Sequence, residues 1–460
     1  MGSAQTRFRE LLDGMLDRSS SDSQQKEFVQ LLEANPQLNE DLVEDLRTHG
    51  LLQWQSTEMG LAAPQPPAVI PMSIPSESFG SHIFRIVRSR WTWAAASILL
   101  MVSALIGWQQ VRLARSRQLV LAEIVDPQQA IWAEGSSALI DSEHIVAGKL
   151  EMTSGRCTLR FRSGATVWIK GPVSLNIISD MLIKMDAGLA TAHVPEWAQG
   201  FSIETPTVHV TDLGTKFGVM ARGKSTDVVV FEGKVDLKST AQVSLETKQL
   251  KQGEGVRIDN QGRLNRIVEV HSDPYGEEWS STQTPAGSDA TIKSIHDNIP
   301  SADSPTYYDI TRRGLRDDCR AYVDSVSEWN GLTSAGLPNF LLNADYVRTC
   351  NNYRYMDYLE ITLELARPAM LYVFFDRRVK PPSWLTEQFE NTGMDIGLDE
   401  GPWFKGDTKH TLGVGGGQSI DQVFSVWRRR CDGPEVIKMG RMGSMKGARA
   451  MYGIAATPLE

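Results

Sequence analysis

The sequence has few cysteines and histidines, which limits the kinds of site it can hold. Four cysteines occur among 460 residues, at positions 157, 319, 350 and 431, and none forms a CxxC or CxxxC pair. A disulfide-dense scaffold and a structural zinc site are therefore not expected. The eight histidines show neither HxxxH nor HxH spacing, so no metal site is expected from them.

Catalytic motifs are missing as well. The chain has no GxSxG, no HExxH and no Cys–His arrangement. The glycine-rich segment 413–418 lacks GxGxxG spacing and a following GK[ST], so we interpret it as a plain loop. The acids Asp395, Asp399 and Glu400 are interpreted as solvated loop residues, because sequence cannot supply the fixed separation that a catalytic pair needs. We therefore expect no catalytic residue, no cofactor and no enzymatic activity.

The chain also lacks an excess of positive charge. It carries 47 Lys+Arg against 56 Asp+Glu, a net charge of −9. Direct nucleic-acid binding would need a concentrated basic surface, so it is not expected. The hydrophobic fraction of 41% is enough for real cores and excludes wholesale disorder.

One long segment contains no charge. It runs over residues 91–111, and as a helix it would span roughly 31 Å, close to the thickness of a bilayer hydrocarbon core. Trp91 and Trp93 at one end and Trp108 at the other are placed as interfacial anchors. We therefore predict a single transmembrane helix. Three arginines flank each end, so charge alone leaves its orientation undecided.

The chain before this segment predicts a small helical domain and a linker. Residues 1–54 show three apolar stripes at helical spacing, which include Leu12, Leu16, Leu31 and Leu42. Two interpretations stay open: a marginal bundle that buries its own apolar faces, or a bundle that leaves one face for a partner protein. Residues 55–90 are rich in proline and are predicted to be an extended linker.

The chain after the segment predicts β structure. Residues 112–147 form a juxtamembrane segment, and 148–260 alternate short β-rich runs with turn signals, which is typical of an all-β domain. Residues 261–305 are predicted to be a second linker, because much of the stretch is Ser, Thr, Asp and Pro. Residues 306–460 contain further strands, among them the alternating 359–365 and the continuously apolar 370–375.

Four blocks of the first β region resemble the FecR domain of bacterial transmembrane sigma-factor regulators. The blocks are 201–206, 208–219, 228–236 and 250–256, and their order and spacing match that family over about 110 residues. The motif residues are interpreted as structural: Pro206 starts a turn, Gly214 and Gly233 lie at turns, and Thr215 and Phe217 belong to the same block, with Phe217 in the core.

The last region looks like a β-sandwich module appended to carbohydrate-related and surface proteins. The resemblance rests on the segments 344–347, 376–377, 382–385, 392–393 and 451–452. The tryptophans Trp384, Trp403 and Trp427 are interpreted as core residues rather than sugar platforms. The arginine run 428–430 is interpreted as a solvated strand edge.

Together these predict a multidomain fold: a small all-α N-terminal domain, one transmembrane helix, an all-β FecR-like domain and a C-terminal all-β sandwich. The resemblance implies residues 1–90 in the cytoplasm, the β regions outside the inner membrane, and an extracytoplasmic-function sigma factor held by the first helices. Membrane lipid and an unknown external protein or glycan are the other expected partners. The alternative is a membrane-anchored carbohydrate- or cell-wall-binding surface protein with no sigma-factor role.

Overall fold

The computed structural model describes residues 120–141, 143–241, 247–281, 289–402, 407–408, 410–443 and 449–459. All of them belong to one of the chain's two compact units, Leu100–Glu460. The predicted N-terminal helices and the predicted transmembrane segment lie outside the described residues.

The first sheet is built from the strands between residues 122 and 266. Its fourteen strands in the described chain are β1 (Ala122–Trp132), β2 (Ile140–Asp141), β3 (His144–Ile145), β4 (Gly148–Phe161), β5 (Thr166–Ser179), β6 (Leu182–His193), β7 (Ser202–Glu204), β8 (Val208–Asp212), β9 (Lys216–Arg222), β10 (Ser225–Glu232), β11 (Lys234–Ser239), β12 (Thr247–Lys251), β13 (Gly255–Asp259) and β14 (Leu264–Arg266). They follow the order β12-β11-β8-β7-β6-β5-β4-β1-β3-β2, and a branch runs from β6 through β9, β10 and β13 to β14. The sheet branches because β6 pairs with β7 through its first residues and with β9 through its last.

The remaining strands form two further sheets. They are β15 (Glu269–Ser272), β16 (Trp279–Ser280), β17 (Ile292–Asp297), β18 (Tyr308–Thr311), β19 (Cys319–Arg320), β20 (Glu328–Asn330), β21 (Asp345–Arg348), β22 (Glu360–Leu365), β23 (Ala369–Asp376), β24 (Glu390–Asp399), β25 (Gln422–Cys431), β26 (Val436–Gly440) and β27 (Gly453–Pro458). One sheet has the order β16-β15-β18-β21-β27-β23-β25-β24-β20-β19, and the other is β17-β22-β26. The helices of the described chain are α1 (Ser383–Gln388) and the 3-10 turns Ser136–Leu139, Glu196–Ala198 and Asn351–Tyr355.

Side-chain periodicity explains why the strands of the last region form where they do. Along β22 every second residue is buried, as expected for a strand with one covered face. Along β23 all residues except Met370 are buried, and β23 lies between β27 and β25 in its sheet. The strands predicted at 359–365 and 370–375 are therefore confirmed.

Strand β10 joins the first sheet to the strands β15–β27, which we name the C-terminal half. Val228 and Val230 belong to the apolar core of the first sheet. The alternate residues Val229 and Phe231 belong to the core of the following strands. Successive side chains of a strand point to opposite faces, so one strand is covered by a core on each side. This explains why the segment reads as a continuous apolar run.

The predicted fold class is wrong for the part of the chain that the structure describes. This part is nearly all β, but it does not divide into a FecR-like domain, a linker and a separate sandwich, because β10 serves both cores and the last region forms a ten-stranded and a three-stranded sheet. The stretch 261–305 contributes the strands β14 to β17. Among the described residues, no helix has both the length and the apolar character needed to cross a bilayer.

Candidate functional site

The turn between β8 and β9 brings together several residues of the sequence motif. The buried carboxylate of Asp212 accepts hydrogen bonds from the backbone N–H of Gly214, at 2.7 Å, and from the hydroxyl of Thr215. Gly214 and Gly233 have φ of 90° and 78°, a conformation that L side chains rarely adopt. They also lie close together, because a Cβ on Gly233 would come within 2.6 Å of the Gly214 carbonyl oxygen. The motif therefore builds a tight double turn rather than a ligand site.

The residues that follow in β9 face two different cores. Phe217 is fully buried in the core of the first sheet. Gly218 faces the other side, where Trp279 covers it so closely that a Cβ on Gly218 would be 2.3 Å from the indole nitrogen. Trp279 is itself buried, and its ring packs edge-on against Phe231 at 6.2 Å. Only a residue without a side chain fits beneath this indole.

The segment 273–280, which we name the strap, crosses the first sheet. The ammonium of Lys216 donates a hydrogen bond to the carbonyl oxygen of Tyr275 at 2.8 Å, and the hydroxyl of Thr191 donates to the carbonyl oxygen of Glu277 at 2.6 Å. Lys170 of β5 forms an ion pair with Glu278. The strap is thus fastened to three neighbouring strands, β5, β6 and β9.

A polar cleft opens beside the strap, between β9 and β10 on one side and the C-terminal strands on the other. Its volume is about 160 Å³. Four basic residues line it, Lys216, Arg316, Arg320 and Arg348, together with the acids Glu232, Asp318 and Glu328. Because four cationic and three acidic side chains meet in one space, this cleft is the candidate functional site.

The acids and bases of the cleft are only loosely paired. Arg320 lies 3.4 Å from a carboxylate oxygen of Glu232 and 3.9 Å from one of Glu328, and its Nη1 is buried without a hydrogen-bond partner. Arg348 has a closer partner outside the cleft, the buried carboxylate of Asp309 at 3.3 Å. The guanidinium of Arg316 lies over the ring of Tyr275, 5.7 Å from its centre.

Burial shifts the ionisation of several cleft groups. It raises the pKa of Glu328 to about 7, against the opposing effect of Arg320. It lowers the pKa of Lys216, although Glu232 acts in the other direction. It raises the pKa of the Cys319 thiol to about 11, so this cysteine is a poor nucleophile at neutral pH.

The other predicted residues are scattered or lie outside the described chain. The predicted partner-binding leucines Leu12, Leu16, Leu31 and Leu42, the interfacial Trp91, Trp93 and Trp108, and Trp403 are not among the described residues. Pro206 is exposed in the turn before β8, where the hydroxyl of Thr205 accepts a hydrogen bond from the N–H of Val208 at 3.1 Å.

The arginine run differs from its interpretation as a sheet edge. Arg428, Arg429 and Arg430 lie in β25, which pairs with β23 on one side and β24 on the other. Each forms an ion pair with an acidic neighbour on β24 or in the following chain. The run is therefore accommodated inside a sheet by paired charges.

Two of the three acidic residues near position 400 differ from the expected loop, whereas Glu400 lies in the loop after β24. Asp395 and Asp399 lie in β24, and Asp395 is paired with Arg377 at 2.8 Å. Asp399 is buried and accepts a hydrogen bond from the N–H of Gly413 at 2.7 Å, so it holds the glycine-rich loop in place. Trp427 is buried.

Sequence reasoning missed the cleft and the strap because it assigned 261–305 to a linker. Much of the buried surface in this stretch is polar, as at His271, Ser272 and Ser294, which makes the segment look hydrophilic. A signal was nevertheless present: Tyr275 and Trp279 enclose the turn residue Gly276, and a linker rarely carries two aromatic residues so close together.

The known structures described next match only in part, because each match covers a part of this chain and a part of the other protein. Two crystal structures of candidate anti-sigma factors from Parabacteroides distasonis ATCC 8503 are 21% and 20% identical, with TM-scores of 0.22 and 0.23. They cover 25% and 26% of this chain, which spans 57% and 58% of theirs. A β-glucuronidase of glycoside hydrolase family 2 is 12% identical, with a TM-score of 0.23, over 73% of this chain and 39% of the enzyme. TM-scores at this level do not establish a shared overall fold.

No curated protein matches the chain. A family model does match it: residues 151–236 match the family described as FecR protein. The matched range runs from within β4 to within β11 and includes the double turn, Phe217 and Gly218. Three of the four motif blocks lie within this range, whereas the block 250–256 lies beyond it, and the chain therefore carries a FecR domain at residues 151–236.

Proposed function

We propose that the chain is a non-enzymatic regulator of an extracytoplasmic-function sigma factor. The observation that carries this proposal is the FecR domain at residues 151–236. Its motif residues serve the double turn and the core of the first sheet. Residues 1–54, with their apolar stripes, are the segment proposed to hold the sigma factor.

The proposal includes a location at the inner membrane. The uncharged segment 91–111 supports it, because a run of this length without charge suits a bilayer better than water. In this arrangement residues 1–90 face the cytoplasm and the β strands face the outside. An external protein or glycan would then act on the described β structure, which we call the β unit.

The β unit is suited to pass on a binding event because its first sheet and its C-terminal half pack against each other. Strand β10 contributes to both cores, and the strap ties the C-terminal half to β6 and β9. These two strands belong to the part of the first sheet between β4 and β11, whose strands we call the FecR strands. A force or ligand that acts on the C-terminal half therefore reaches the FecR strands through packed side chains. This coupling is the structural basis of the proposed signalling role.

The sigma-factor role is tested by co-expression of the full chain with each extracytoplasmic-function sigma factor of its source organism. One sigma factor is expected to co-purify and to lose activity on a reporter promoter. Leu16→Asp should abolish both effects, whereas the matched polar change Gln24→Ala should leave both intact. Circular dichroism must show equal helicity for the two variants. If no sigma factor is retained by the unmodified chain, the proposal is wrong.

The location is tested separately with reporter fusions. A reporter that is active only outside the cytoplasm should work when fused after residue 300 and fail when fused after residue 60. The reverse pattern would contradict the proposed orientation, and failure at both positions would contradict the membrane location.

A further inference from the structure

Two of the four cationic side chains in the cleft between the FecR strands and the C-terminal half are not neutralised by an ion pair, although the acids Glu232, Asp318 and Glu328 line the same space. Neither Lys216 nor Arg316 has a carboxylate at ion-pair distance among the described residues: the first bonds a backbone carbonyl and the second lies over a tyrosine ring. Nη1 of Arg320 is buried and makes no hydrogen bond. The Arg320 side chain as a whole is 30% exposed and its contact with Glu232 is 3.4 Å long, so Arg320 and Arg316 present donors to an acceptor that comes from outside.

The shape of the cleft limits the size of that acceptor. The volume of about 160 Å³ is close to that of cavities known to hold one benzene molecule, roughly six non-hydrogen atoms. The cleft can enclose a short organic acid, whereas it has no room to enclose a whole nucleotide. The ring of Tyr275, 71% exposed at the edge of the cleft, offers a flat apolar contact for the carbon part of such a molecule.

The acidic residues of the cleft indicate which anion suits it. Glu232, Asp318 and Glu328 line the same space as the cations, so a dianionic phosphate would meet three carboxylates. A carboxylate carries a single charge and matches the planar fork of a guanidinium with two parallel hydrogen bonds. The cations are also contributed by both halves of the unit, since Lys216 belongs to β9 and Arg320 to β19.

We propose that this cleft binds a small carboxylate, held by Arg320 and Arg316 with Lys216 supplying further positive charge. The bound acid bridges the FecR strands and the C-terminal half, which are joined there by the strap and by the weak Arg320–Glu232 pair. This inference does not depend on the sigma-factor role, because it concerns binding to the β unit alone.

The test is isothermal titration calorimetry of the full chain with butyrate, a singly charged short carboxylate, as the probe. Butyramide, which has nearly the same shape without charge, and inorganic phosphate serve as comparison ligands. Butyrate is expected to bind, butyramide not to bind, and phosphate to bind at least tenfold more weakly. Absence of butyrate binding would overturn the proposal, and equal binding of phosphate would overturn the assignment to carboxylates.

Variants locate the site. Arg320→Gln and Arg316→Gln should each weaken butyrate binding roughly tenfold or more, because each removes a hydrogen bond to a charged group. Arg430→Gln is the matched control, since Arg430 is an exposed arginine that pairs with Asp432 and does not line the cleft. If thermal unfolding shows that the Arg320→Gln variant is not folded, the Arg316→Gln variant decides the outcome, because Arg316 is exposed. Unchanged affinity in the folded variants would place the ligand elsewhere and overturn the proposal.

Discussion

Replacement of Gly218 by alanine tests the contact between the FecR strands and the strap. Gly218 has an ordinary backbone conformation, so alanine adds no backbone strain there. The new Cβ would, however, lie 2.3 Å from the indole nitrogen of Trp279 and 2.4 Å from the adjacent ring carbon. Ordinary van der Waals contacts begin near 3.4 Å, so the ring or the strand must move by about 1 Å.

The structure indicates how much this movement costs. Trp279 is only 2% exposed and packs edge-on against Phe231, so its ring has little free space to enter. Overpacking of this kind typically costs 1–3 kcal/mol, and we expect about 2–3 kcal/mol for Gly218→Ala because the obstacle is a rigid ring. Trp279→Ala alone should cost about 3–5 kcal/mol, since it empties a buried site. In that background, Gly218→Ala should cost almost nothing, which gives a coupling energy of about 2 kcal/mol.

The assay is guanidinium unfolding of the full chain, followed by circular dichroism so that the loss of a tryptophan does not change the probe. The matched control is Gly433→Ala, because a Cβ at Gly433 meets nothing within 4 Å and the backbone there is also ordinary. That change should alter the free energy of unfolding by less than about 0.5 kcal/mol. If Gly218→Ala and Gly433→Ala unfold at the same midpoint, Trp279 does not cover β9 and the description of the strap is wrong.

Three further predictions follow from burial and charge. Phe217→Ala should lower the free energy of unfolding by about 3–5 kcal/mol in denaturant titrations, because the ring is fully buried. Arg266→Gln should cost about 3–5 kcal/mol in the same assay, because it leaves the carboxylate of its ion pair buried and unpaired. Glu328 binds its proton more tightly in the folded state, with a pKa of about 7 against 4.5 for the unfolded chain, so its ionisation destabilises the fold as pH rises from about 4.5 to 7. Glu328→Gln should therefore raise stability at pH 8 by up to about 3 kcal/mol and change it little at pH 4, measured by thermal unfolding at the two pH values.

Matched variants make these predictions specific. Arg263→Gln breaks an exposed ion pair and should lower the free energy of unfolding by less than about 1 kcal/mol. Equal effects of Arg263→Gln and Arg266→Gln would contradict the burial of Arg266. Glu390→Gln removes an exposed acid and is the matched control, expected to change the free energy of unfolding by less than about 0.5 kcal/mol. A pH dependence retained in Glu328→Gln would assign it to other groups. A loss below 1 kcal/mol for Phe217→Ala would contradict its place in the core.

Local patterns predicted much of the FecR strands and turns. The β-rich runs 158–162 and 166–170, between turn signals, indicate strands; the first lies in β4 except for its last residue, and the second lies inside β5. The left-handed turn at Gly214 was expected from its position between two apolar runs, and the observed φ is 90°. Such features depend on a few consecutive residues, which is why their sequence is sufficient to predict them.

The division into domains was not predicted well, because it depends on which surfaces are covered. A continuous apolar run such as 228–231 shows that both faces of the strand are buried, but not by what. The stretch 261–305 was taken for a linker because its hydrogen-bonded polar residues resemble solvent-exposed ones in composition. Burial of polar groups becomes visible only when their partners are known.

The sequence by itself therefore determined the β character of residues 148–260, the positions of the motif turns and the inward direction of Phe217, since each follows from strand periodicity and turn chemistry over a few residues. Only the tertiary structure decided that Gly218 lies beneath Trp279, that Lys216 reaches Tyr275 and that the cations of the cleft share one space. The physical reason is distance along the chain: Lys216 and its partner are 59 residues apart, and Thr191 and Glu277 are 86 apart. Contacts between such distant residues are selected by the packing of whole sheets, which no local pattern encodes.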